Sequence, residues 1–173
     1  MKKIITILYY LRIISSKFYA KHIGVSFGND CDFQHIYFPS EPYLLEIGNH
    51  VQITSGTRLF THSGGWVLRE RFPKWDTFGK IIIKNNVYIG NCCLIMPGVI
   101  IGNNVIIGAG SVVTKSIPDN VIVAGNPAKI ISDLRTYINK NLKFNTNTFD
   151  EKNKKDLLLT KHFSKFITRN AMQ

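Results

Sequence analysis

A six-residue repeat between residues 83 and 130 constrains the fold of this chain more than any other feature. Counting by six from Ile83 gives a column of aliphatic residues: Ile89, Ile95, Ile101, Ile107 and Val113. The residues four places after each member are small, β-branched or thiol-bearing: Val87, Cys93, Val99, Val105, Ser111 and Ile117. A period of six matches neither the two-residue period of a single strand nor the 3.6-residue period of a helix. It is typical of a solenoid that turns a corner every six residues, and it predicts a parallel β-helix.

The repeat also extends towards the N-terminus, with two interruptions. It begins near Phe27, and residues 39–46 hold two residues more than the period needs. It resumes at Ile47 and breaks again at residues 65–80, GWVLRERFPKWDTFGK, which follow no six-residue period. Long insertions in compact folds are usually functional, so we expect this loop to serve the site.

Both ends of the chain have helical patterns, which divides it into three predicted parts. Residues 1–22 are predicted to be a helical cap, residues 23–131 the β-helix, and residues 132–173 a helical extension. The predicted apolar face of the cap contains Ile4, Ile7, Leu8, Leu11, Ile14 and Phe18. In the extension, one helix should follow Ser132 or Asp133, and a second should begin at Asp150. Arg12 interrupts the first apolar run, which argues against a secretory signal, and that run is too short to span a bilayer.

Charge and cysteine content limit the possible partners. The net charge is +11, and the whole excess lies in residues 1–21 and 129–173, since acids and bases cancel between them. Basic ends suit a solvated surface, an anionic membrane or a phosphorylated ligand, but no nucleic-acid-binding motif is present. Cys31 and Cys93 fall in the small position of the repeat, so we expect buried free thiols and a reducing, cytoplasmic location.

Two segments that close the repeat carry a family resemblance. GAGSVVTKSIP (108–118) and VAGNPAKII (123–131), together with the hexapeptide column, resemble the hexapeptide-repeat acyltransferases, in particular the sugar O-acetyltransferases related to galactoside and maltose acetyltransferases. The resemblance spans residues 27–131 and is strongest from residue 81 onward. It implies a left-handed β-helix, a homotrimer, and acetyl-CoA bound in a groove between neighbouring subunits.

The resemblance also implies roles for individual residues. Members of the family carry a catalytic His just before an extended loop, where this chain has His62, and an oxyanion-binding main-chain amide that matches Asn91. The matching cofactor-binding positions are Tyr88, Gly90, Ala109, Gly110, Thr114, Lys115 and Lys129. Relatives often place a second His or an acid shortly after the catalytic His, but Ser63 and two glycines follow here. That departure, with the lack of their N-terminal acceptor-binding segment, argues against free galactosides or maltose as acceptors.

His62 is also the best candidate on chemical grounds. Acetyl transfer to a hydroxyl requires a base that removes the alcohol proton, and imidazole can do this at neutral pH. A thioester is already activated, so no acyl-enzyme is needed. Backbone N–H groups of a turn can stabilise the tetrahedral oxyanion.

The acceptor is predicted from the loop and from the basic ends. Trp66 or Trp75 could stack on a sugar ring, and Arg69 or Arg71 could pair with a carboxylate or phosphate. Gln34 and His35, on a preceding coil, could also face the substrate. Basic ends could hold the enzyme near the inner leaflet of the cytoplasmic membrane. We therefore predict O-acetylation of a surface-polysaccharide or lipopolysaccharide sugar, with a small free sugar as the alternative.

Two other classes of protein use similar coils. The γ-class carbonic anhydrases bind zinc through three His, but His50 and His62 are twelve residues apart and should face different sheets, so no metal is expected. A degenerate scaffold or binding protein is the non-enzymatic alternative. It would have little use for a His beside an aromatic-rich loop, and ice binding would need a ladder of Thr that is absent from the sequence.

Overall fold

The computed structural model describes residues 2–167, although the side chain of Lys2 lies outside the description. The chain divides into two compact units between Leu134 and Arg135. The first unit is a left-handed parallel β-helix with three sheets, as predicted. Its first sheet contains β1 (Ser26–Phe27), β3 (Leu45–Ile47), β6 (Ile81–Ile83) and β9 (Ile100–Ile101). Its second contains β2 (Asp32–Phe33), β4 (Val51–Ile53), β7 (Val87–Ile89), β10 (Val105–Ile107), β12 (Val121–Gly125) and β13 (Ala128–Asp133). Its third contains β5 (Arg58–Leu59), β8 (Leu94–Ile95) and β11 (Val112–Val113).

Both columns of the six-residue repeat lie inside the coil. Every member of the aliphatic column from Ile83 to Val113 is buried, and so is every member of the smaller column from Val87 to Ile117. Cys31 and Cys93 are buried free thiols in the small position, as expected, whereas Cys92 is exposed. Burying a large aliphatic side chain contributes about 1.5–3 kcal/mol, so the stacked columns are the main source of stability.

The pairing register shows where residues have been added to the coil. Regular partners lie eighteen residues apart, as in Ile83 with Ile101. Phe27 pairs with Ile47, twenty residues on, which confirms the two extra residues predicted near residues 39–46. Ile47 pairs directly with Ile83, so eighteen additional residues leave the coil between them. The insertion is therefore as long as one coil, and the coils before and after it still stack directly on each other.

One corner of the coil is held by a ladder of polar side chains. Five residues at this corner have positive φ between 53 and 62°: Asp30, His50, Asn86, Asn104 and Asn120. The side-chain oxygen of Asn85 accepts a hydrogen bond from the N–H of Asn49 at 2.9 Å, and that of Asn103 accepts from the N–H of Asn85 at 3.1 Å. Asn and Asp tolerate the left-handed conformation better than other non-glycine residues, so they suit these sharp turns.

The solenoid ends in a hairpin that the repeat did not predict. β12 stacks in parallel on β10, but β13 returns antiparallel to β12. Residues 128–131 were expected to be part of the parallel coil, and that expectation is wrong. The hydroxyl of Ser111 accepts a hydrogen bond from the N–H of Gly125 at 3.2 Å, which ties the hairpin to the coil below.

The N-terminal cap differs from its predicted form. It consists of two helices, α1 (Lys2–Tyr10) and α2 (Ser16–Ile23), and the hydroxyl of Ser15 caps the second by accepting a hydrogen bond from the N–H of Phe18. The predicted packing face is wrong, because most of its residues are more than half exposed: Ile4, Ile7, Leu11 and Phe18.

The cap instead contacts the first coil through Tyr9. Its ring is buried and stacks on Tyr19, with 4.1 Å between centroids, and on His35, with 4.8 Å. Its hydroxyl donates a hydrogen bond to the carbonyl oxygen of Ile36 and accepts one from the N–H of the same residue. The first coil is therefore closed by an aromatic side chain that also satisfies its open backbone.

The second unit consists of short helices. The helix α3 (Leu134–Asn141) begins where the cap at Ser132 or Asp133 predicted. The next helix, α4 (Lys154–Thr160), begins four residues later than the predicted start at Asp150. Within residues 2–167, no helix has both the length and the apolar character needed to cross a membrane.

Candidate active site

His62 lies where the inserted loop leaves the coil. It follows β5 and forms an antiparallel bridge with Phe78, and the two rings meet edge to face with 6.4 Å between centroids. The N–H of Ser63 donates to the carbonyl oxygen of Thr77 at 3.2 Å, and the N–H of Gly79 donates to that of Thr61 at 2.8 Å. The two ends of the loop therefore form a hairpin-like stem that fixes the backbone of His62.

A carboxylate that the sequence did not indicate orients the imidazole of His62. Oε2 of Glu41 lies 3.0 Å from Nδ1 of His62 and accepts a hydrogen bond from the hydroxyl of Thr61 at 2.6 Å. The Glu41 side chain is 18% exposed, whereas that of His62 is 47% exposed, so the acid is sheltered and the imidazole faces solvent. Glu41 lies in the corner that contains the two extra residues. Its contact with His62 joins different coils at a spacing of 21 residues, which is not the regular spacing, so the sequence repeat did not indicate it.

The charge of Glu41 determines which nitrogen of His62 is available. Partial burial opposes its ionisation, but the hydrogen bonds from Thr61 and His62 outweigh burial and lower the pKa of Glu41. An ionised Glu41 can only accept, so Nδ1 of His62 carries the proton in this contact. Nε2 of the neutral imidazole then has a free lone pair, which is the arrangement of a general base.

A cleft of about 210 Å³ opens beside His62. One side comes from the segment Tyr37–Ser40 and the other from Arg58–His62. Among residues 2–167, no group of three or more His, Cys, Asp or Glu side chains is arranged to hold a metal ion. The cleft brings an oriented imidazole beside a wall that contains the cationic Arg58 and the aromatic Tyr37.

Several of the expected oxyanion and cofactor positions lie in β7 or in the turns that follow β7 and β10. Tyr88 points outward between Gln52 and Ile106 on the second sheet and is 41% exposed. Gly90 fits tightly on the next coil, since an added Cβ would lie 2.6 Å from the backbone nitrogen of Ala109. The N–H of Asn91 has no hydrogen-bond acceptor among residues 2–167, so it is available to a ligand.

The remaining cofactor candidates are all exposed. Gly110 has a φ of +71°, so a side chain there would strain the turn. Thr114 and Lys115 follow β11, and Lys129 lies on β13 opposite Ala124. These residues are open to a ligand.

The residues expected to bind the acceptor lie in different surroundings. In the loop, Nε of Arg69 donates to the carbonyl oxygen of Trp75 at 2.9 Å, and its guanidinium is 3.6 Å from Asp76, so Arg69 holds the loop together. The guanidinium of Arg71 lies over the ring of Phe72, and Trp66 is 82% exposed.

Gln34 and His35 lie on the first coil. Gln34 is exposed and bonds to the next coil only through its backbone. The ring of His35 is stacked against Tyr9, and burial together with the nearby charge of Arg12 lowers the pKa of His35. His35 therefore belongs to the contact between the cap and the first coil, and neither residue lines the cleft beside His62.

Comparison with known proteins shows clear relatives. Residues 80–115 match the family model described as bacterial transferase hexapeptide (six repeats). Protein CapG of Staphylococcus aureus is 48% identical over 124 residues, which are 69% of this chain and 72% of CapG. The putative lipopolysaccharide biosynthesis O-acetyl transferase WbbJ of Escherichia coli is 51% identical over 51 residues, which are 30% of this chain and 26% of that protein. A solved galactoside acetyltransferase in complex with coenzyme A superposes with a TM-score of 0.53 and 28% identity, covering 71% of this chain and 72% of that one.

The hydrogen bond from Thr61 to Glu41 can be tested by removing one hydroxyl. Thr61→Val keeps the shape of this buried side chain. We expect the pKa of Glu41 to rise, because the variant loses a hydrogen bond that counteracts the effect of burial on this carboxyl. A lowered pKa stabilises the fold above the ordinary carboxyl pKa and loses that contribution as the pH falls through the folded value. In Thr61→Val this contribution should therefore be smaller, and its loss should be complete at a higher pH, which NMR titration of ¹³C-labelled carboxyl groups and unfolding at several pH values would measure.

Thr57→Val is the matched control. The Thr57 side chain is equally buried, but its hydroxyl donates to the carbonyl oxygen of Gly90 at 3.0 Å and does not contact Glu41. It should leave the pKa of Glu41 unchanged. Equal Glu41 titration curves for Thr61→Val and the unmodified protein would contradict the described hydrogen bond.

Proposed function

The chain belongs to the family of bacterial hexapeptide-repeat transferases, and we propose from that premise that it transfers an acetyl group from acetyl-CoA to a hydroxyl of a bacterial surface-polysaccharide or lipopolysaccharide sugar. It is an acetyltransferase that uses acetyl-CoA, since the relative that it resembles in structure binds coenzyme A. The observation that carries the proposal is the hydrogen-bonded pair of His62 and Glu41 beside an open cleft.

In the proposed reaction the acceptor hydroxyl attacks the thioester directly. Nε2 of His62 removes the hydroxyl proton as the oxygen bonds to the carbonyl carbon, and the negative charge of Glu41 stabilises the imidazolium that forms. The N–H of Asn91 is proposed to hold the oxyanion. The tetrahedral intermediate collapses with loss of the CoA thiolate, which takes the proton from His62 and leaves the base regenerated.

The name of one relative supports a surface glycan as the acceptor. The chain shares 51% identity over a short region with a protein named for lipopolysaccharide biosynthesis. A small free sugar is the alternative, because the chain also resembles a galactoside acetyltransferase in structure. A non-enzymatic scaffold fits poorly, since an oriented imidazole with a free nitrogen has no role in holding the coil together.

The outer surface of the later coils supports the proposed homotrimer. In the coil of residues 46–58, the outward residues of the three sheets are Glu46, Gln52 and Arg58. In the next two coils every equivalent residue is apolar or aromatic: Ile82, Tyr88, Leu94, Ile100, Ile106 and Val112. Exposed or partly exposed apolar residues that neighbour one another on a sheet, such as Ile82 and Ile100, mark an association site. The later coils are therefore proposed to face neighbouring subunits, with acetyl-CoA in the grooves between them and bound by Tyr88, Gly90, Ala109, Gly110, Thr114, Lys115 and Lys129.

The exposed face of the N-terminal helices supports contact with a cytoplasmic membrane surface. Ile4, Ile7 and Leu11 project from the cap, and exposed basic residues flank them: Lys3, Arg12, Lys17 and Lys21. No acidic residue occurs before Asp30. An apolar helix face with basic neighbours binds anionic lipid headgroups, so the proposed enzyme works where lipid-linked glycans are assembled.

The role of His62 is tested by His62→Ala. We expect kcat for acetyl transfer to fall by about 10²–10⁴, the usual contribution of a general base, while KM for acetyl-CoA changes little. The measurement is CoA release combined with mass spectrometry of the sugar. His50→Ala is the control, because His50 lies at a corner of the coil with Nδ1 2.9 Å from Asn86 and should not affect turnover. A His62→Ala enzyme with near-normal kcat would contradict the assignment.

The oligomeric state is tested by light scattering during gel filtration. The expected mass is three times the 19.7 kDa of the chain. A monomer at micromolar concentration would remove the inter-subunit groove from the proposal. A dimer would require a different arrangement of the apolar outer faces.

Membrane contact is tested by sedimentation with lipid vesicles. We expect binding to vesicles that contain phosphatidylglycerol, weaker binding to neutral phosphatidylcholine vesicles, and a decrease with added salt. Leu11→Glu should weaken binding by about 10-fold or more, since a buried leucine contributes roughly 1.5–3 kcal/mol. Phe149→Glu is the control because Phe149 is exposed but lies outside the N-terminal helices. Equal binding to anionic and neutral vesicles would contradict the proposal.

A further inference from the structure

Arg58 is a structured cation in the cleft beside His62. Its guanidinium carbon lies 4.4 Å from the centroid of the Tyr37 ring, and the two residues form a parallel bridge between adjacent coils. A guanidinium stacked on an aromatic face loses mobility but keeps its N–H groups at the edge of the plane. The donors of Arg58 are therefore held in place and directed away from the ring.

The charge of Arg58 has no partner within the described chain. It forms no ion pair with residues 2–167. No carboxylate is among the described residues that line the cleft. Glu41 directly follows the cleft residue Ser40 in the chain, but it already accepts hydrogen bonds from Thr61 and His62. An arginine that is stacked and unpaired beside a catalytic base is suited to an anion supplied by a ligand.

The positions of Arg58 and His62 suit a sugar acceptor. Arg58 and His62 alternate with the buried residues Leu59 and Thr61, so both lie on the outer face of the coil. Both residues line the same cleft. The cleft, about 210 Å³, is smaller than typical pockets for drug-sized ligands, which measure about 300–1,000 Å³, and thus suits one sugar residue at a time.

We propose that Arg58, stacked on Tyr37, binds an anionic group of the acceptor glycan, either on the sugar that is acetylated or on the one next to it. This inference rests on the proposed sugar acetyltransferase activity and specifies its substrate class. The anion is a carboxylate or a phosphate, since the guanidinium forms paired hydrogen bonds with both. Of the two loop arginines predicted from the sequence, Arg69 is held by Asp76 and the backbone of Trp75, and Arg71 does not line the cleft beside His62.

The test compares three acceptors built on one type of sugar ring: one with a carboxylate, one neutral and one with phosphates. These are a hexuronic acid methyl glycoside, the corresponding neutral hexoside, and the same neutral hexose linked to a nucleoside diphosphate. Acetylation is followed by mass spectrometry with acetyl-CoA, and kcat/KM is measured for each acceptor. The unmodified enzyme should prefer one of the charged acceptors over the neutral hexoside by about 10- to 100-fold, the usual effect of hydrogen bonds to a charged group. Preference for the uronic acid identifies a carboxylate, and preference for the nucleotide sugar identifies phosphate.

Arginine variants show which residue causes the preference for a charged acceptor. Arg58→Gln should reduce the preference to near one, whereas Arg58→Lys should keep part of it. Arg71→Gln is the matched comparison, because Arg71 is a loop arginine outside the cleft and its replacement should retain the preference. Each variant is first checked for the mass and acetyl-CoA affinity of the unmodified protein.

The possible failures can be told apart. Equal acetylation of neutral and charged sugars would overturn the anion subsite but leave the acetyltransferase in place. Loss of the preference in Arg71→Gln and not in Arg58→Gln would assign the anion to the loop and also overturn the inference. Acetylation of none of the sugars, with acetyl-CoA still bound, would overturn both the subsite and the proposed function.

Discussion

Each corner of the coil is filled by an aliphatic side chain that packs on its equivalent one turn away, and this stacking depends on partners lying eighteen residues apart. Ile83 on Ile101 and Ile89 on Ile107 are examples. A change of one residue within a strand would turn its buried side chains outward. Added residues must therefore leave the coil at a corner, and the chain does this twice, near residue 41 and after residue 62.

These two departures from the repeat create the candidate active site. The corner with two extra residues provides Glu41, and the stem of the eighteen-residue insertion holds His62. Neither segment contributes to the aliphatic columns, yet the stacking of the coils beneath them brings the carboxylate within 3.0 Å of the imidazole. The regular coil acts as a rigid support, and the irregular segments carry the residues proposed to be catalytic, a common arrangement in enzymes.

The outward-facing residues of the coil change from polar to apolar along its length. The coil next to the site has polar outward residues, including Arg58, whereas the two coils after the loop present apolar ones. Polar outward groups suit a sugar acceptor, and apolar ones suit neighbouring subunits. The N-terminal helices add a third surface, with exposed isoleucines among basic residues, that suits a membrane.

The sequence by itself determined the coil, its columns of buried residues, the two extra residues near residue 40, and the position of His62 at the start of the loop. Those features follow from local spacing, which a six-residue period records directly. The contact between Glu41 and His62, the stacking of Arg58 on Tyr37, and the packing of Tyr9 on the first coil were decided only by the tertiary structure. Each of them joins segments whose spacing in the chain differs from the regular turn, so no periodic pattern marks them. The exposed face of α1 was predicted incorrectly for a related reason: helical spacing identifies an apolar stripe, but only the folded coil decides which face of the helix it covers.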